Sequence, residues 1–225
     1  MLSSSSVPDE IPAMKAGGPG WQWIRACLLG ELFGFVPLAL TGAVLFAIGA
    51  PEVGFVIGLT LAGVLEGLIL GSAQADVLRR VAPTVPDWAA TTGFAVGLAW
   101  FVGIGGSSLV HTFGPWALVI AAPGWIIGLS SMGFLQSCQL RQGLGRSGSW
   151  FSVSIGALLA CFTIPVASLA APPNDWPSAV FVTLTIISTT ALGVAVGAVS
   201  ARTLIEVVPE TSRDSWENRS PRAWP

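Results

Sequence analysis

Two acidic side chains lie inside long apolar stretches of the sequence, where ionisable groups are rare. Glu31 and Glu66 are each surrounded by apolar and small residues. A charge at the bilayer centre costs ~2.5–3.5 kcal/mol on insertion scales, so such residues are candidates for function. If the two carboxyls approach each other, they would share a proton or hold a cation, because two nearby carboxylates in a low dielectric cannot both stay ionised. The alternative is two protonated carboxyls, each bonded to a backbone carbonyl or facing the membrane interface.

The rest of the sequence offers little for catalysis or for binding a cofactor. It contains one histidine, His111, and three widely separated cysteines without a C-x-x-C pair, at Cys27, Cys138 and Cys161. Bis-histidine haem ligation within the chain is therefore impossible, and a zinc site has no visible set of ligands. The net charge of −2 comes without a basic face for nucleic acid. We expect no enzyme activity, no cofactor, no metal and no nucleic-acid partner.

The composition indicates that lipid must cover part of the protein. Of the 225 residues, 52% are hydrophobic and 10% are charged, against about 25% charged in a soluble domain. A membrane span needs about 20 apolar residues. Six segments qualify, at 25–49, 54–76, 88–110, 115–138, 150–172 and 178–205. The sequence therefore predicts an all-α integral membrane protein of about six transmembrane helices, over residues 23–206 and between disordered tails at 1–22 and 207–225.

Charge placement predicts the orientation of these spans. All ten Lys and Arg residues fall on one side of the predicted membrane. That bias predicts that both termini lie in the cytoplasm, which fits a multi-pass protein of the plasma (cytoplasmic) membrane. Arg25 has a pairing partner in reach, either Asp76 or Glu31, unless its side chain extends to the headgroups. Six tryptophans lie near predicted span ends, where an indole can reach the wet interface; they are Trp21, Trp23, Trp88, Trp116, Trp150 and Trp176.

Recurring small residues suggest that the chain is built from three helical hairpins in tandem, at about 25–76, 88–138 and 150–205. In the odd spans a small-xxx-small pair recurs at steps of 63 residues; the pairs are Gly30-xxx-Gly34, Gly93-xxx-Gly97 and Gly156-xxx-Ala160. In the even spans Gly71-xx-Gln74-xxx-Leu78 recurs as Gly133-xx-Gln136-xxx-Leu140, with a weaker copy at Gly197-xx-Ser200-xxx-Leu204. The repeats would be parallel, related by a pseudo-threefold axis along the membrane normal.

These small and amide side chains are expected to serve helix packing. Lipid tails give helices no hydrophobic reason to associate, so close backbone approach must supply the attraction. Gly63, Gly67 and Gly71 form one small stripe on the second span. Gln74 and Gln136 lie near helix ends, where an amide can cap carbonyls or bond to a neighbouring hairpin.

The repeated G-x-x-Q-x-x-x-L-R element, followed by a Trp that opens the next span, carries a resemblance. It covers the junctions at 71–88 and 133–150 and resembles uncharacterised bacterial polytopic membrane proteins that repeat G-x-x-Q-W-x-x-L-R between Gly-rich spans. Here Ala75 and Ser137 follow the glutamines instead of Trp. The resemblance implies a helical membrane architecture and no particular activity.

Two functions from different classes remain open at this stage. The first is a structural or accessory bundle that binds lipid, a partner membrane subunit or further copies of itself through its small-residue faces. The second is a small proton- or cation-coupled carrier that uses Glu66 and Glu31. The first is preferred, because two buried charges make a poor aqueous pathway.

Overall fold

The described part of the computed structural model comprises residues 18–152, 154 and 178–208, and within it every regular element is a helix. The long helices are α1 (Pro19–Ala47), α2 (Glu52–Val81), α3 (Trp88–Phe113), α4 (Leu118–Leu144) and α5 (Ser178–Val207), with a 3₁₀ turn at Pro115–Ala117 before α4. The all-α prediction is confirmed for these residues.

Four of the helical segments are long and apolar enough to cross a membrane: Pro19–Ala47, Glu52–Val81, Trp88–Phe113 and Pro115–Leu144. Large apolar side chains such as Phe46 and Val119 are exposed on their surfaces, as expected where lipid is the solvent. The chain is therefore an all-helical protein with several apolar helices of membrane-spanning length. The predicted sixth span corresponds to α5. Beyond Ser154, the predicted fifth span lies outside the described residues.

Proline and glycine set several helix ends. Pro19 opens α1, a position where the missing proline N–H leaves no helical hydrogen bond unmade. Gly49, in the turn between α1 and α2, has a φ of 61°. This left-handed conformation strains other residues but not glycine. Gly145 has a φ of 71° and ends α4 in the same way.

Helices α1 to α4 pack side by side in chain order, and α5 packs against α1. α1 contacts both α2 and α5, α2 contacts α3, and α3 contacts α4. The arginines Arg79, Arg80 and Arg141 lie where α2 and α4 end and α1 and α3 begin. We call this the basic end of the bundle, and the end with the α1–α2 turn the opposite end.

The buried core is concentrated at the basic end. Its members are three tryptophans and a set of small or aliphatic residues from or beside α1, α2, α4 and α5; they are Trp23, Ala26, Cys27, Val77, Leu78, Val81, Ala82, Trp88, Leu140, Trp150, Ala201, Leu204 and Val208. The three leucines of the even-span pattern are 2%, 0% and 1% exposed, in chain order.

Candidate functional site

Glu66 lies in the packed interior between three helices. It is 8% exposed, and its Oε2 accepts a 2.7 Å hydrogen bond from Trp100 Nε1 on α3. A glycine on α1 makes room for it, because a Cβ at Gly34 would lie 3.1 Å from Glu66 Cγ. A buried carboxyl with one indole donor is satisfied on one oxygen, so the site holds Glu66 in a defined orientation.

Glu31 also points into the bundle, away from the exposed side chains of Leu29 and Phe33 on the opposite face of α1. It is half-buried and lies against α5, where a Cβ at Gly193 would be 3.3 Å from Glu31 Cγ. Among the described residues, no side chain donates a hydrogen bond to it. Glu31 therefore lies at the contact of α1 with α5, whereas Glu66 lies where α2 meets α1 and α3.

Neither of the ion pairs considered for Arg25, with Asp76 or with Glu31, forms. Asp76 pairs instead with Arg79, three residues further along α2, because i and i+3 side chains on one helix are neighbours. Arg25 is exposed on α1, and among the described residues no carboxylate lies within ion-pair distance of it. Of the alternatives considered above, the structure leaves Arg25 extending outward.

Three tryptophans meet at the centre of the basic end. Trp23, Trp88 and Trp150 come from the starts of three different helical segments, and each is 3% exposed or less. Their ring centroids are 6.1, 5.6 and 5.6 Å apart, with interplanar angles of 74–78°. Edge-to-face contact at this spacing is a favourable packing geometry. We call these three side chains the tryptophan triangle.

Each indole of the tryptophan triangle donates its N–H to a polar residue near the end of another helix. Trp88 Nε1 is 2.9 Å from Gln74 Oε1, and Trp150 Nε1 is 3.2 Å from Gln136 Oε1. Trp23 Nε1 is 2.8 Å from Ser200 Oγ. The acceptors are the Gln, Gln and Ser of the even-span pattern.

The two glutamine amides also donate, which ties a second layer of polar groups to the first. Gln136 Nε2 is 3.0 Å from Thr92 Oγ1 and 3.5 Å from Gln74 Oε1, and Gln74 Nε2 is 3.4 Å from Cys27 Sγ. Thr92 in turn donates to the carbonyl of Trp88. The buried polar groups of this layer are therefore largely satisfied by one another.

Glycine brings the helices together beside each tryptophan. A Cβ at Gly71 would lie 2.8 Å from Ala89 Cα on α3, and one at Gly133 would lie 2.7 Å from Ser154 Cβ. At Gly197 it would lie 3.0 Å from Ile24 Cα on α1. Any larger residue would separate the helices at these points.

The other predicted packing glycines divide between two interfaces. Gly30 and Gly34 face α2 at Leu70 and Glu66, whereas Gly93 and Gly97 face α2 from α3, at Leu68 and Val64. The two pairs therefore have different neighbours, and the 63-residue step does not align equivalent positions. Steps of 65 and 62 residues relate the three members of the tryptophan triangle instead.

On α2, the glycine stripe faces α3. A Cβ at Gly67 would lie 2.7 Å from the Thr92 carbonyl oxygen, and one at Gly63 would overlap the Trp100 ring. Gly156 lies outside the described residues. The stripe predicted from sequence thus forms the contact between the second and third helices.

The tryptophan triangle was not anticipated as core. Trp21 and Trp116 are 49% and 86% exposed, in line with an interfacial position, but Trp23, Trp88 and Trp150 are buried. A signal for the pairing was present in the sequence, because Gln and Trp stand 14 residues apart at both junctions.

Within the described ranges, no three His, Cys, Asp or Glu side chains come together in a group that could hold a metal ion. No protein-family model, curated protein or solved structure matches the chain.

Proposed function

We propose that the chain is a structural or accessory bundle of the bacterial inner membrane, closed at its basic end and able to bind lipid or a partner membrane subunit. The observation that carries this proposal is the tryptophan triangle. Three indoles in mutual edge-to-face contact, with their N–H groups bonded to Gln74, Gln136 and Ser200, leave no aqueous path between them. A closed, glycine-packed bundle suits a scaffold better than a conduit.

The proposal includes six spans arranged as three hairpins around a pseudo-threefold axis. Three observations support it: each tryptophan bonds to one acceptor of the even-span pattern, a glycine closes each junction, and a buried leucine follows each acceptor. The third junction joins the two ends of the chain, since Trp23 and Ser200 are 177 residues apart. Together the three junctions form a ring.

In the proposed orientation the basic end lies in the cytoplasm. The arginines at this end support it, because basic residues are retained on the cytoplasmic side. Exposed apolar side chains along α1 and α2, among them Phe33, Leu40 and Leu61, are available to lipid or to a partner helix.

The test is native mass spectrometry of the full chain, extracted in mild detergent from its own membrane. The accessory role predicts a stoichiometric second polypeptide or retained lipid. A bare monomer that retains neither would contradict it. Gly97→Leu should disturb the bundle itself, since a side chain there would meet Val64 on α2; wild-type elution of that variant in size-exclusion chromatography would count against the closed bundle.

The burial of Glu66 and the inward position of Glu31 favour a second candidate, a proton- or cation-coupled carrier. Two inward-facing carboxyls at membrane depth, one held by Trp100, are costly in a purely structural bundle. The measurement is proton flux into proteoliposomes containing the full chain, using a pH-sensitive dye and a potassium diffusion potential. The carrier predicts flux in the wild type and its loss in Glu66→Gln. Absence of flux in the wild type, or equal flux in the variant, would remove this candidate.

A further inference from the structure

Two glycine pairs occupy corresponding positions on α2 and α5 but face different helices. Gly67 and Gly71, on α2, pack against α3. Gly193 and Gly197, on α5, pack against α1. Each pair stands seven and three residues before the polar residue of the even-span pattern, so the two contacts can be compared position by position. We call the contact between α1 and α5 the seam.

The seam is packed less tightly than the contact between α2 and α3. A Cβ at Gly67 or Gly71 would lie 2.7 or 2.8 Å from backbone atoms of α3. At Gly193 and Gly197 the corresponding distances, to backbone atoms of α1, are 3.2 and 3.0 Å. Membrane helices associate through such close backbone approach. We therefore expect less attraction across the seam than between α2 and α3.

The polar residue of the seam joins fewer helices than its counterpart on α2. Ser200 accepts a hydrogen bond from Trp23 on α1, but its hydroxyl donates to a carbonyl of its own helix. Gln74, at the corresponding position, accepts from Trp88 on α3 and donates to Cys27 on α1. The glutamine amide uses both its oxygen and its nitrogen between helices, whereas the serine hydroxyl uses its donor within α5.

Chain connectivity also distinguishes the two contacts. Residues 82–87 alone join α2 to α3, and a short linker keeps two groups at a high effective concentration after they separate. The helices of the seam are the first and the last that the structure describes, and the bond between Trp23 and Ser200 spans 177 residues. The seam can therefore open without straining a short loop.

We propose that the bundle opens at the seam, by local and transient separation of α5 from α1. Two side chains of α1 would be uncovered. One is Glu31, whose Cγ lies 3.3 Å from the position of a Cβ at Gly193, and the other is Cys27, which is 1% exposed in the closed bundle. Opening brings the Glu31 carboxyl to the surface of the bundle, where it can exchange a proton. The proposal holds for an accessory bundle and for a carrier alike.

Cys27 and Thr92 are matched reporters of the two contacts. Each follows a member of the tryptophan triangle by four residues, each is 1% exposed or less, and each accepts an amide hydrogen bond from a glutamine. A Cβ at Gly197 would lie 3.1 Å from Cys27 Cβ, and one at Gly71 would lie 2.8 Å from Thr92 Cβ. The glycine helix that covers the reporter is α5 for Cys27 and α2 for Thr92.

The experiment measures how fast N-ethylmaleimide labels each position in the folded full chain, by mass spectrometry that locates the label. Cys138→Ser with Cys161→Ser leaves Cys27, and the control adds Cys27→Ser and Thr92→Cys. Each rate is divided by the rate in SDS, which removes differences in intrinsic thiol reactivity. We expect Cys27 to react about 3- to 18-fold faster, the effect of one polar contact between membrane helices. Equal rates, or faster labelling of the control, would overturn the proposal.

A disulfide across the seam provides a second test. A Cβ at Gly193 would lie 3.4 Å from Glu31 Cβ, near the ~3.8 Å usual in disulfides, so Glu31→Cys with Gly193→Cys should crosslink on oxidation. The crosslink should slow labelling of Cys27 to about the control rate, and reduction should restore it. Unchanged labelling would show that the reagent reaches Cys27 by another route, which contradicts the seam.

Either test decides without the other. If Thr92→Cys does not fold, the effect of the crosslink settles the proposal, and if the crosslink does not form, the two labelling rates settle it. Both tests measure movement of α5 away from α1, whereas the native mass spectrometry described above measures bound lipid or protein. The proposed function is therefore judged separately.

Discussion

The two ends of the α1–α2 pair differ in how they are held. At the basic end, α1 has buried residues from Pro19 to Leu38, and α2 from Ala62 to Val81. Toward the opposite end neither helix has a buried residue, and side chains such as Phe46 and Val53 are largely exposed. Among the described residues, side-chain packing therefore holds the basic end of the two helices, whereas the opposite end lacks such packing.

The difference follows from residue type as much as from hydrophobicity, since both ends are apolar. Where glycine faces a neighbouring backbone, as at Gly67, helices approach closely enough for indoles and amides to meet. Gly42 does not face a neighbouring backbone in this way. A Cβ there would be 3.8 Å from Leu59 Cδ2, which is an ordinary van der Waals contact. Stability should therefore be sensitive to substitution at the basic end and tolerant at the opposite end.

The largest effect is expected from Trp88→Ala. Removing this 3%-exposed indole opens a cavity between two other rings and removes the shorter of the two hydrogen bonds that Gln74 Oε1 accepts. We expect the free energy of unfolding to fall by about 3–5 kcal/mol, measured by circular dichroism in mixed micelles of SDS and a mild detergent. Trp21→Ala, an exposed tryptophan at the same end, is the control and should change it by less than about 0.5 kcal/mol. Similar losses in both would contradict a core centred on the triangle.

A smaller effect is expected from Gly67→Ala, with Gly42→Ala as its matched control. The new methyl group at 67 would lie 2.7 Å from the Thr92 carbonyl oxygen and 2.8 Å from Gly93 Cα, and backbone atoms cannot rotate away. Overpacking of this kind lowers the free energy of unfolding by about 1–3 kcal/mol. The same methyl group at 42 meets only ordinary contact, so that variant should equal the wild type or exceed it slightly. Equal losses of stability in the two variants would contradict the proposed difference in packing between the two ends.

The smallest of the three effects is expected from Gln136→Leu. It leaves the Trp150 N–H without its acceptor and removes the amide that donates to Thr92 Oγ1, at a cost of about 0.6–1.7 kcal/mol for a polar contact between membrane helices. The exposed Gln142, changed to Leu, is the control. A double-mutant cycle with Trp150→Phe should show coupling of similar size, and purely additive effects would mean that the bond contributes nothing to stability.

The helices could be predicted from the sequence, because composition and the length of the apolar segments determine them. The predicted spans at 54–76 and 88–110 lie within α2 and α3, and the differences in length come from turns that remain helical beyond the apolar segment. For the same reason α1 begins at Pro19, ahead of the predicted span, and His111 lies within α3 rather than in a loop. The six-span count, the repeat and the orientation remain proposals.

The candidate site was harder to predict, because it depends on which faces of the helices meet. An indole near a span end fits either a wet interface or a packed junction, and composition does not distinguish Trp21 from Trp23. These two residues are two positions apart on α1, so they lie on different faces of the helix, and one is exposed while the other is buried. Likewise, Gly30 and Gly93 recur at a regular spacing in the sequence but do not occupy equivalent positions in the structure. A shift of two residues along a helix turns a glycine toward a different neighbouring helix.

The hydrogen bond between Trp23 and Ser200 also affects the order of events during synthesis. Its partners are separated by 177 residues, so the first helix enters the membrane long before its acceptor is synthesised. At about 5–20 residues per second, α1 would wait roughly 10–35 s before α5 emerges to bond with it. During synthesis the Trp23 indole must find another partner, whether lipid, a chaperone or the translocation machinery, and only the completed chain can close the ring.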